Sequence, residues 1–124
     1  MSDLFSFSVL FKVILILVAI IHLYIVILEM FLWTTKYGQA AFGLKSLEFA
    51  EETKVLAANQ GLYNLFLVAG LIWGLISENL SIGAFFLSCV FVAGLYGAYS
   101  TKKIRILYIQ SVPALIGLIS FALI

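Results

Sequence analysis

Of 124 residues, 65% are hydrophobic and 10% charged, with one proline, a formal net charge of +1 and a mean hydropathy of +1.20. A soluble domain is about half apolar and about a quarter charged, so this composition excludes an ordinary water-soluble globule and a disordered chain alike. So small a charge offers phosphates no basic surface, which excludes a nucleic-acid binder and leaves the lipid bilayer as the expected partner.

At ~20 apolar residues per crossing, the chain has room for four spans and short loops. The pattern predicts an all-α fold: an integral membrane four-helix bundle, up-down-up-down, forming a single domain. Strands are not expected, because the apolar runs are long, lack period-two alternation, and would leave open sheet edges in lipid.

Span 1 is predicted from about Val9 to Trp33, interrupted by His22 and Glu29. Asp3 precedes Lys12 and no small-residue cleavage site follows the run, so it reads as a permanent span and not as a cleaved signal. The segment 34–54 reads as a loop with Gly38 and Gly43 as breakers. Ser46, Glu48, Glu51 and Glu52 read as the start of the next helix, since acidic side chains suit the positive end of the helix dipole. Span 2 follows from about Val55 to Ser77, span 3 from Ser81 to about Ser100, and span 4 from about Ile104 to Ile124. Cys89 lies in an apolar run without charged neighbours, so it reads as a packing residue.

Six of the seven cations fall in segments 34–54 and 101–105, namely Lys36, Lys45, Lys54, Lys102, Lys103 and Arg105. The positive-inside rule then makes those loops cytoplasmic, with both termini outside a multi-pass protein of the plasma membrane.

Ionisable and amide side chains inside a span are costly, so each needs a partner, a cavity or a role. His22 and Glu29 are seven residues apart and share a stripe with Val26 and Trp33. On span 2, Glu52, Asn59, Tyr63, Gly70 and Gly74 share a stripe, widened on one flank by Gln60 and Asn64, and this face is expected to look inward. Tyr96, Tyr99, Arg105 and Gln110 fall at the same inner depth on spans 3 and 4. Together these residues predict a hydrophilic pocket near the cytoplasmic side: His22, Glu29, Asn59, Gln60, Tyr63, Asn64, Tyr96, Tyr99, Arg105 and Gln110 as ligand contacts, and Glu29 as the candidate proton carrier or general acid. One His and one Cys on different spans make no metal set. Phosphate loops and nucleophile triads are missing from the sequence. Cofactors are not readable.

Small residues read as packing faces. Gly70 and Gly74 form a GxxxG on span 2, and Ala93, Gly94, Gly97 and Ala98 a similar face on span 3, serving either the core of one chain or a homo-oligomer contact. Pro113 is expected to kink span 4 and to free the carbonyl near Ile109.

Several segments carry a family resemblance: His22 to Ile25, Leu28 to Thr35, Lys54 to Asn64, Val92 to Ala98, and Gln110 followed by Pro113. They resemble the small bacterial membrane proteins grouped as domain of unknown function 1304, over nearly the whole chain. That resemblance implies a four-span protein and no assigned activity. A looser similarity is to the membrane-associated eicosanoid and glutathione metabolism superfamily, trimers in which an Asn on the inner half of helix 2, here matched by Asn59, serves cytoplasmic glutathione. That family's pattern has a glutamate where this chain has Leu62, and an arginine where Lys54 stands.

Four functions stay open at this point. The chain could bind a small amphipathic or lipid-like ligand. It could be a membrane enzyme of the glutathione type, or a proton-coupled exporter resembling the small multidrug transporters in architecture. Finally, it could be an accessory protein whose polar groups only hold the bundle together at about 0.6 to 2 kcal/mol each.

Overall fold

A computed structural model describes residues 6–124, and Asp3 lies outside them. Every long element is a helix: α1, Phe7–Met30; α2, Lys36–Phe42; α3, Leu47–Ile76; α4, Leu80–Thr101; and α5, Ile104–Ala122. All but α2 are long and apolar enough to cross a membrane, which makes this a multi-pass membrane protein with bundle packing of four helices.

The chain divides into two compact units, and α1 and α3 each contribute to both. The first contains residues 6–21 and 67–124. Its core is Phe11, Leu15, Val18, Leu71, Leu87, Val90 and Ala114, drawn from all four long helices. Phe11 packs against Phe121 with ring centroids 5.4 Å apart. The helices touch through small residues, which leave dispersion contacts where a larger side chain would hold backbones apart. A methyl group on Gly74 would stand 2.5 Å from the Gly83 nitrogen and 2.7 Å from its Cα. One on Gly70 would run into the Phe86 ring. The span 2 glycines therefore pack against α4 within one chain.

α5 contains a π-helical stretch, Leu107–Ser111, between the turn Ile104–Ile106 and the α-helical Val112–Ala122. The Val112 N–H donates to the Leu107 carbonyl, five residues back. Ser111 Oγ donates to the Phe91 carbonyl of α4 at 2.9 Å, beside Gly94. The expected kink is thus a widened turn tied to its neighbour.

The second unit, His22–Phe66, corrects the reading of segment 34–54 as a loop. α1 stops at Met30, short of Trp33, because Thr35 captures the chain. Its hydroxyl donates to the Leu32 carbonyl at 2.7 Å and accepts from the Gly38 N–H at 3.5 Å, which caps α2. Gly38 is not a breaker but a helical residue in close approach, where a Cβ would meet the Trp33 carbonyl at 2.6 Å. Gly43 does end α2, in the left-handed region at φ 61°. Ser46 Oγ then accepts from the Phe49 N–H at 3.0 Å and opens α3. At 30 residues, α3 is about 45 Å long and exceeds the ~30 Å hydrocarbon layer, so its charged first turns extend past it.

Gly74 and Gly97 provide a paired test of this packing. Alanine at Gly74 meets backbone and is expected to lower stability in detergent by about 1 to 3 kcal/mol. Alanine at Gly97 meets only the tip of Ile106 at 3.3 Å and is expected to change it by less than half as much. Thermal unfolding of both variants checks the difference.

Candidate functional site

The second unit carries the polar pair that the sequence singled out. On α1, His22, Val26 and Glu29 lie on one buried stripe, with His22 at 0% and Glu29 at 6% exposure. Across from Glu29, Asn64 of α3 donates through Nδ2 to Glu29 Oε1 at 2.6 Å. A carboxyl group held in low dielectric needs such a donor, because lipid offers it no other partner.

Gly61 makes this approach possible, since a Cβ there would strike the Met30 side chain and sit 3.2 Å from Glu29 Cβ. Ala50, Thr53, Ala57, Gly61 and Asn64 recur at helical spacing and form the inward stripe of α3 in this unit. Ala50 and Ala57 are buried on it. Below the pair, Trp33 Nε1 donates to Thr53 Oγ1 at 3.0 Å, and its ring packs on Phe42 at 4.9 Å between centroids. Trp33, placed by the sequence at the end of span 1, thus ties the segment after α1 to α2 and α3. Nothing in one sequence pairs residues twenty apart, so this bond had no signal there.

The stripe of α3 expected to look inward does not do so along its whole length. Gly70 and Gly74 are covered in the first unit, but Asn59, Gln60 and Tyr63 are exposed on the chain. Asn59 Nδ2 returns to its own helix, donating to the Val55 carbonyl at 3.1 Å. The physical reason is size: close helix approach selects small side chains for the interface, and Asn59 lies nearly opposite Ala57 and Gly61 around the helix. Asn64, on the flank, is the amide that reaches the interior.

The remaining predicted contacts belong to the first unit. Tyr96 and Tyr99 are exposed near the end of α4, and Arg105 is exposed at the start of α5. Gln110 is half-buried in the π stretch, its Cβ close to Gly94. Within each unit, then, Glu29 and Asn64 are bonded together and Gln110 lies by the α4 backbone. Among the described residues, no three His, Cys, Asp or Glu side chains gather as a metal group would.

Residues 16–122 match the family described as protein of unknown function (DUF1304). The chain belongs to that family. No curated protein and no solved structure matches it. The match covers both Glu29 and Asn64, so the bonded pair of this DUF1304 chain lies inside the family region.

A double-mutant cycle measures the pair. Glu29→Leu and Asn64→Leu should each destabilise the protein in detergent, with a coupling energy of about 1 to 2 kcal/mol between them. Additive losses would show that the hydrogen bond contributes nothing beyond the separate side chains.

Proposed function

We propose that this protein binds the polar head of a small amphipathic or lipid-like molecule at a hydrophilic recess near the cytoplasmic side of the plasma membrane. Glu29 and Asn64 form the floor of that site, with Gln60 one turn from Asn64 on the same flank of α3. In this reading both termini lie outside and the cation-bearing segments 34–54 and 101–105 face the cytoplasm, as the charge bias of the loops favours.

The observation that carries the reading is the 2.6 Å bond from Asn64 to a Glu29 that is 6% exposed. A buried carboxyl is costly in a span, and a purely structural role needs only one donor and one acceptor. Here the pair leaves the second carboxyl oxygen and the remaining Asn64 and Gln60 amide groups to engage a head that carries amine or hydroxyl donors. Sites for such molecules are mostly apolar with a few convergent polar groups, which matches two polar side chains set among Val26, Leu28 and Ala57. The tail would follow the apolar helices toward the other leaflet.

Extraction in mild detergent followed by lipid mass spectrometry tests the proposal. The wild-type chain should retain a donor-bearing amphiphile above its share of the bulk lipid. Glu29→Leu and Asn64→Leu should each reduce retention by about tenfold or more, the equivalent of one charge-assisted hydrogen bond. Equal retention by all three proteins, or a lipid profile identical to bulk membrane, would overturn it.

A further inference from the structure

The interior of the second unit uses one face of α3, and a different face carries a second pattern. Leu56, Asn59, Tyr63 and Phe66 follow one another at spacings of three, four and three, the repeat that lines one seam of a left-handed helix pair. Leu56 is 70% exposed and Tyr63 and Phe66 are each 57% exposed, with the Tyr63 and Phe66 rings 6.3 Å apart. Asn59 is exposed at the centre of this seam. Lipid suits the three large side chains but not the amide. The bond to Val55 uses one N–H of Asn59, and the other N–H and the carbonyl oxygen remain to be matched.

We propose that α3 pairs through this seam with α3 of a second copy of the chain, in parallel about a two-fold axis along the membrane normal. Two features select a second copy over another occupant. The amide is its own complement: across a two-fold axis each Asn59 presents a donor to the acceptor of the other, so both are satisfied by one identical residue. Orientation agrees as well. Six of the seven cations fall in segments 34–54 and 101–105, and by the positive-inside rule copies insert in one sense, so their α3 helices run parallel. Identical seam positions then meet, and a polar residue in an apolar seam fixes register and favours two strands. Glu52, one step farther along the seam, lies in the charged first turns of α3 outside the hydrocarbon, where water screens the two like charges. Gly70 and Gly74 of α3 cannot supply the contact, because Phe86 and Gly83 already cover them.

The seam is separate from the Glu29 and Asn64 site, so failure of either reading leaves the other standing. Single cysteines at Leu56, Asn59, Tyr63, Phe66, Leu62 and Leu65, in a Cys89→Ser chain in native membranes, test it without destabilising the protein. Oxidation should give a dimer band from positions 56, 59, 63 and 66 at least several-fold above that from 62 and 65. Asn59→Leu should lower the dimer fraction of the purified protein in mild detergent by about tenfold, and Asn59→Gln should restore part of it. Uniform or absent cross-linking, a trimer ladder, cross-links to another protein, or a wild-type monomer at every protein-to-detergent ratio would each overturn the proposal.

Discussion

Hydrocarbon offers no hydrogen bonds, and that constraint organises this protein more than any single contact does. Hydroxyls within the spans turn back onto their own helices, as Ser88 does to Ala84 and Ser120 to Ile116. Where a side chain reaches across instead, it marks a point at which two helices are held in register: Ser111 to Phe91 in the first unit, Asn64 to Glu29 in the second. Each is cheap to keep and costly to break, since the orphaned group has no water to turn to.

Close approach is the other half of the same logic. Without a hydrophobic driving force between helices, contact area must come from shape, and glycine and alanine give the closest contact. Gly74 against Gly83 does this in one unit, and Gly61 against Met30 and Glu29 in the other. The two cases differ in result. The first brings apolar backbones together, whereas the second lowers a carboxyl and an amide to bonding distance.

The number of spans, their approximate limits and membrane character were legible in the chain, because runs of ~20 apolar residues have few physical alternatives. So was the need of Glu29 for a partner inside its span, which Asn64 supplies. The rotation of α3 was not. Counting polar groups pointed the stripe of Asn59 and Tyr63 inward, but packing is decided by which residues are small, and Ala57 and Gly61 outweighed the amides. Segment 34–54 was misread for a related reason: Gly38 is a poor helix former in isolation, and only its contact with the Leu32 and Trp33 backbone shows why a glycine is needed inside α2. The limit of α1 depended on the Thr35 cap, a local competition that hydropathy does not register.

The π stretch of α5 resets the phase of the helix. One residue more than an α-turn holds is accommodated between Ile106 and Val112, so side chains before and after it point about 100° away from where an unbroken helix would put them. Removing a single residue from Leu107–Ser111 would restore ordinary winding and swing Ile104 to Ile106 onto a new azimuth, while Val112 to Ala122 kept its place against Leu87 and Ile14. Length variation at this one point can therefore redirect the basic end of the helix without disturbing the half that is packed.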